Sequence, residues 1–170
     1  IAQDRLTARR ARARLERAQI LIADESGWTL STTTASSVVM RWLDVIAGDF
    51  YFRDLLDFMH SPFVLGAANG ELENRLREAN YFSGFAKLRA IVEGTGFSSA
   101  TAQFADALIS AGARIGRKPR TLSRWLGVLL ECFERLDITA TLSRDAAGSD
   151  LLRLLQNLAS ELDGERELYS

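Results

Sequence analysis

Only two prolines, Pro62 and Pro119, occur in the 170 residues of this chain. Proline lacks a backbone N–H and clashes with the preceding turn of a helix, so their scarcity permits long uninterrupted helices. Beyond Gly27 the apolar residues recur mainly at helical spacing, and the chain is long enough to bury a core. The sequence therefore predicts a mainly α, bundle-like domain of about seven or eight helices, with one or two short strands near the N-terminus.

Capping residues and apolar periodicity locate these elements along the chain. We expect helices over about 4–18, 31–48, 50–60, 71–80, 82–92, 98–111, 121–136 and 149–162. The short β-branched run 20–23 is typical of a strand that ends in a turn. Residues 1–27 are therefore expected to form a strand–helix–strand edge of an adjoining domain, and residues 28–170 a helical domain. The side chains expected to face its core include Leu43, Leu154 and Leu158.

One cysteine and one histidine exclude an intrachain disulfide and are poor material for a zinc site. Cys132 lies on the apolar face of the expected helix 121–136, so we interpret it as a small core residue. His60 precedes Ser61 and Pro62, and its imidazole is expected to pack at a helix end near the terminal carbonyls. We expect four carboxylates to lie on solvated helix faces: Asp44, Asp49, Asp54 and Asp57. The alternative is that they form a carboxylate-only Mg²⁺ site.

The stretch 112–119, Gly-Ala-Arg-Ile-Gly-Arg-Lys-Pro, has a superficial likeness to a phosphate-binding Walker loop. Its glycines are too close together, Lys118 does not directly follow Gly116, and Pro119 stands where a Mg²⁺-binding hydroxyl is required. We expect a basic loop here without nucleotide binding, and no cofactor or metal in this chain. No Ser-His-Asp arrangement is recognisable either, so no catalytic residue is expected.

Positive charge is concentrated in two segments although the net charge is −1. Residues 81–130 carry seven basic and two acidic residues, and residues 1–20 carry six arginines and two acidic residues. Because phosphate contacts require no sequence motif, these segments are the candidates for nucleic-acid binding. The alternative is that both are solvated surface. The candidate phosphate-contacting residues are Arg114, Arg117, Lys118, Arg120 and Arg124, followed by Arg9 and Arg12 in the first helix.

Two stretches of sequence carry a family resemblance. The first reads Asp-Arg-Leu-Thr-Ala-Arg-Arg over 4–10 and Asp-Glu-Ser-Gly-Trp-Thr-Leu-Ser-Thr over 24–32, and the second reads Leu-Leu-Asp-Phe-Met-His-Ser-Pro-Phe over 55–63. Both resemble bacterial proteins called probable DNA repair proteins, large relatives of the AddB and RecB types of helicase–nuclease. Residues 125–136 and 144–148 are similar to later helices of the same family.

The resemblance implies that this chain is an internal piece of a longer protein, covering a helical insertion of its second RecA-like domain. The parent is then expected to be an ATP-dependent helicase or exonuclease whose ATP, Mg²⁺ and nuclease sites lie outside residues 1–170. Its expected partners are duplex or single-stranded DNA, the other domains of the parent, and a partner nuclease or helicase subunit. No apolar run approaches the roughly 18 residues of a membrane span, so no membrane partner is expected. The resemblance implies a cytoplasmic location.

A helical protein–protein scaffold that touches no nucleic acid is the alternative function, because segments 21–80 and 131–170 are acidic. The position of the cations in residues 112–124 distinguishes the two functions. An exposed stripe of arginines would favour DNA, whereas pairing with Asp and Glu of neighbouring helices would favour the scaffold. A self-contained enzyme is a third possibility, which ATP turnover by the isolated chain would support.

Overall fold

The computed structural model describes residues 33–67, 70–116 and 119–164, together with Tyr169. These residues form eight α-helices and no β-strand, which confirms the predicted mainly α, bundle-like domain. The strands and the helix predicted before residue 28, and the domain boundary there, lie outside the described residues. The helices are α1 (Thr34–Ala47), α2 (Phe52–Met59), α3 (Glu71–Glu78), α4 (Phe85–Glu93), α5 (Ser99–Ile115), α6 (Leu122–Arg135), α7 (Ile138–Leu142) and α8 (Ala146–Glu161), with a 3₁₀ turn at Leu65–Ala67.

One part of the core forms where α1 packs on α2. Thr33 is the N-cap of α1, and its hydroxyl accepts a hydrogen bond from the backbone N–H of Ser36 at 3.2 Å. Trp42 of α1 is fully buried, and its ring centroid lies 4.9 Å from that of Phe58 in α2 and 6.1 Å from that of Phe50. These ring contacts join α1, α2 and the connection between them into one packed unit.

Helix α6 is central to the second half of the domain, because α5, α7 and α8 all pack against it. Cys132 and Phe133 of α6 are fully buried, and the Cys132 thiol donates a hydrogen bond of 3.5 Å to the carbonyl of Ala111 in α5. Burial raises the pKa of the Cys132 thiol to about 12, so the thiol stays protonated at neutral pH. The prediction that Cys132 is a core residue is confirmed.

The prediction of a loop over residues 112–119 is wrong for the first four of these residues, because α5 continues to Ile115. In the sequence Gly112 looks like a helix end, but in the structure it lies inside α5. A Cβ atom at this position would collide with the rings of Phe85 and Phe50. Close packing rather than a turn therefore explains this glycine, and the longer helix places Arg114 in the last turn of α5.

The chain between α6 and α8 also differs from the prediction. Helix α7 was not expected, and α8 begins at Ala146 rather than near Ser149. Asp145 is the N-cap of α8, and its carboxylate accepts a hydrogen bond from the backbone N–H of Gly148 at 2.9 Å. Gly148 lies directly against the backbone of Leu142, which leaves no room for a side chain. The absence of a Cβ thus lets α7 and α8 approach closely.

Three leucines that were expected to face the core are exposed instead: Leu43, Leu154 and Leu158. Helical periodicity identifies an apolar stripe, but it does not show how much of that stripe the neighbouring helices cover. In α8 the buried positions are Leu151, Leu152 and Leu155, so the covered face is rotated from the predicted one.

Candidate nucleic-acid interface

Three of the cations predicted to contact phosphate are among the residues that the structure describes, and they lie around the junction of α5 and α6. Arg114 is in the last turn of α5, Arg120 is in the connection, and Arg124 is in the first turn of α6. The structure gives each of these three side chains a different environment. The other candidates lie outside the described residues and stay predictions: Arg117, Lys118, Arg9 and Arg12.

Arg114 is paired with an acidic residue of the neighbouring helix. Its Nε lies 2.6 Å from Oε2 of Glu131 in α6, and its Nη2 lies 3.3 Å from Oε1 of the same carboxylate. These hydrogen bonds raise the pKa of Arg114 and lower the pKa of Glu131. The pair neutralises the charge of Arg114 and connects α5 to α6, so a phosphate would have to compete with Glu131 for this guanidinium.

Arg120 uses its side chain within the fold. Its guanidinium donates hydrogen bonds to the carbonyl of Ile115 and, at 3.2 Å, to the carbonyl of Arg114, both at the C-terminal end of α5. A cation at this end complements helical carbonyls that no backbone N–H satisfies. The guanidinium carbon also lies 5.0 Å from the ring centroid of Trp125 in α6. Arg120 therefore joins the end of α5 to the start of α6.

The backbone of Arg120 pairs with that of Tyr169. Its N–H donates to the carbonyl of Tyr169 at 2.9 Å, and the N–H of Tyr169 donates to the carbonyl of Arg120 at 2.7 Å, which forms an isolated antiparallel bridge. The indole Nε1 of Trp125 donates to the same Tyr169 carbonyl at 3.0 Å. Sequence reasoning missed this contact because no periodicity links residues that are so far apart in the chain.

Arg124 is exposed, and its side chain forms no ion pair with any residue that the structure describes. Its backbone N–H donates to Oγ1 of Thr121, the N-cap of α6, at 3.4 Å. The first turn of α6 contains no acidic side chain. Because the N-terminus of a helix carries a partial positive charge, a cation in this turn adds to the local positive potential. The start of α6 is thus an electropositive surface that favours anions.

His60, the single histidine of the chain, is engaged in a surface network. It lies at the C-cap of α2, as expected, but its Nε2 contacts Oε2 of Glu73 in α3 at 3.0 Å rather than the terminal carbonyls. Oε1 of the same carboxylate accepts two hydrogen bonds from Arg77, and these lower the pKa of Glu73 more than the contact with His60 does. The network joins α2 to α3, and nothing in it resembles a nucleophile with its base.

Among the residues that the structure describes, no group of three or more His, Cys, Asp or Glu side chains is arranged to hold a metal ion. No helix in the same part of the chain is long and apolar enough to cross a bilayer.

Comparisons with known proteins found no matching family model, no matching curated protein and no matching solved structure.

Proposed function

We propose that this chain is a non-catalytic helical domain of a bacterial DNA repair protein of the helicase–nuclease type. It contacts DNA phosphates through the start of α6 and braces the motor domains of its parent, in the cytoplasm. The class of parent comes from the resemblance of residues 4–32 and 55–63 to that protein family. ATP and Mg²⁺ bind elsewhere in the parent, and a partner nuclease or helicase subunit completes the assembly.

The observation that carries the DNA contact is the position of Arg124. An exposed arginine in the first turn of α6, with no acidic side chain in that turn, is electrostatically unfavourable for the helix. A bound phosphate would remove this cost, because the guanidinium and the backbone N–H groups of a helix start can bind the same anion. Arg120 lies just before this turn, but its guanidinium is bound to the carbonyls at the end of α5, so Arg124 is the cation that the start of α6 offers to a phosphate.

Fluorescence anisotropy of the 170-residue chain with single-stranded, duplex and forked oligonucleotides, at two salt concentrations, tests the proposal. We expect binding that weakens as the salt concentration rises. For Arg124→Ala the salt dependence of the binding constant should be shallower, because about one counterion fewer is released on binding. Arg144→Ala is the matched control, because Arg144 is also exposed and makes no ion pair with a described residue. Absence of binding at low salt, or an equal loss in both variants, would contradict the proposal.

The ion pair between Arg114 and Glu131 favours the second candidate function, a helical scaffold for protein–protein contacts. Here one arginine of the predicted interface already has a carboxylate partner on the neighbouring helix. In the scaffold, the basic residues stabilise the helical packing and DNA is not bound. The anisotropy experiment separates the two functions, because the scaffold predicts no salt-dependent binding to any of the three oligonucleotides.

A further inference from the structure

The connection between α1 and α2 and the connection between α3 and α4 are joined by hydrogen bonds. The backbone N–H of Gly84 donates to the carbonyl of Asp49 at 2.7 Å, and the N–H of Phe52 donates to the carbonyl of Phe82 at 2.8 Å. The hydroxyl of Tyr81 donates to the carbonyl of Phe50 at 2.7 Å. We call residues 48–53 and 80–87 the aromatic corner, since these bonds make the two connections one unit.

The aromatic corner keeps its backbone in conformations that most residues avoid. Asp49, Phe50 and Asn80 have φ values of 49°, 59° and 46°, in the left-handed region that is unfavourable for residues with a side chain. Phe50 tolerates this because its ring is buried, with its centroid 4.9 Å from that of Phe85. Such conformations persist only where the surrounding contacts enforce them, so the shape of the aromatic corner is well defined.

Phe82 lies at the surface of this unit with 66% of its area exposed. Among the described residues of the aromatic corner, it is the only large apolar side chain with such exposure. The ring centroids of Tyr51 and Phe82 lie 5.1 Å apart, with an interplanar angle of 72°. This edge-to-face contact helps to hold the phenyl ring in place. The aromatic corner therefore presents the ring of Phe82 to solvent, in contact with the ring of Tyr51.

Two cations of the aromatic corner, Arg53 and Lys87, are exposed and form no ion pair with a described residue. Lys87 Nζ is 3.5 Å from the carbonyl of Asn80, two residues before Phe82. Two carboxylates of the same stretch of chain, Asp49 and Asp54, have contacts within the aromatic corner. Asp49 accepts a hydrogen bond from the N–H of Phe85 at 3.3 Å, and the Asp54 carboxylate lies against Gly48. The exposed ring is thus accompanied by two cations that are available to an anionic ligand.

We propose that the aromatic corner binds single-stranded nucleic acid, with a base stacked on Phe82 and the flanking phosphates contacted by Arg53 and Lys87. An exposed ring together with cations that have no ion-pair partner among the described residues is what sequence-tolerant binding of single strands requires. This inference rests on the proposed function and adds to it a preference for single strands over duplex, because a paired base is not free to stack on a side chain.

The surroundings of Phe82 favour a base over a protein pocket. A protein interface of useful size buries a contiguous apolar patch with few charges at its centre. Among the described residues of the aromatic corner, Phe82 is the only large apolar side chain that is exposed, and the charged residues Arg53 and Lys87 belong to the same corner. A planar base needs only the face of the ring. The phosphates next to that base would provide negatively charged partners for Arg53 and Lys87.

The test uses the 170-residue chain and two fluorescent probes of equal length, a deoxythymidine oligomer and an abasic sugar-phosphate oligomer. We expect tighter binding of the thymidine oligomer, and about a tenfold loss for Phe82→Ala on that probe alone. Leu65→Ala is the control, because it removes an exposed apolar side chain outside the aromatic corner. Phe82→Trp should retain affinity, and the added indole fluorescence should be quenched by the thymidine oligomer.

The outcomes separate this inference from the proposed function. If Phe82→Ala binds both probes like the wild type while Arg124→Ala binds them more weakly, base stacking on Phe82 is wrong and the phosphate contact stands. If neither probe binds the wild type, both proposals are wrong. If Phe82→Ala changes only the association state of the protein in sedimentation experiments, the ring contacts protein and the base-stacking inference fails.

Discussion

The carboxylate of Glu71, the first residue of α3, caps the N-terminus of α5 by binding Ser98. It accepts hydrogen bonds from the backbone N–H of Ser98 at 3.1 Å and from its hydroxyl at 2.5 Å, and Thr101 of α5 donates a third at 2.6 Å. The hydrogen bonds to Ser98 and Thr101 lower the pKa of Glu71 below its ordinary value of 4.5. The longest of the described helices therefore takes its N-terminal partner from another helix.

Replacement of Glu71 should produce a pH-dependent loss of stability. Because the pKa of Glu71 is lower in the folded state, its carboxylate stabilises the fold above pH 4.5 and loses this effect as the pH falls through the folded pKa. Urea unfolding should show Glu71→Gln to be less stable than wild type at pH 7, with a difference that becomes smaller as the pH falls below 4.5. Glu78→Gln, on the same helix, is the control. A difference that does not decrease as the pH falls would contradict this role.

Gly112→Ala should destabilise the protein by about 1–3 kcal/mol, because the added methyl group would overlap the rings of Phe85 and Phe50. Gly127→Ala is the matched control, since Gly127 also lies inside a helix but has open space where the Cβ would be. That change should stabilise α6 by about 0.5–1 kcal/mol through helix propensity. Chemical denaturation of both variants measures the two effects, and similar shifts in one direction would refute the packing argument.

Arg120→Ala should lower the free energy of unfolding by about 1–2 kcal/mol, because it removes hydrogen bonds to the end of α5 and the contact with the Trp125 ring. Arg120→Lys should recover only part of this loss, since an ammonium group does not reproduce the planar fork of donors. Guanidinium unfolding followed by tryptophan fluorescence compares the two variants. Full recovery by lysine would show that charge alone is responsible.

Arg124→Glu should stabilise the domain while it weakens DNA binding. A carboxylate in the first turn of α6 interacts favourably with the helix dipole, which predicts a gain of about 0.3–1 kcal/mol in the free energy of unfolding. The same change places a negative charge where a phosphate would bind. Thermal unfolding and anisotropy on the same preparation measure both quantities. Loss of stability together with loss of binding would instead identify Arg124 as a structural residue.

Sequence patterns predicted the helical class and most of the helices, because apolar spacing and capping residues act over a few neighbouring positions. Thr33, Thr121 and Asp145 are all N-caps of the kind that such patterns identify. The glycines show where this reasoning fails. Gly112 was predicted to begin a loop and Gly148 to precede the last helix, whereas both lie inside helices at places where other parts of the chain leave no space for a side chain. Their meaning depends on neighbours that are distant in sequence.

For the candidate interface, too, some features followed from the sequence and others only from the tertiary structure. Charge counting along the chain was sufficient to single out Arg114, Arg120 and Arg124, because the density of cations is a local property. Only the tertiary structure decided that Arg114 faces Glu131, that Arg120 holds the end of α5, and that the side chain of Arg124 has no described acidic partner. The aromatic corner around Phe82 was not predicted, since its exposure results from how two separate connections meet. Local propensities are encoded residue by residue, whereas burial and pairing depend on which surfaces the folded chain brings together.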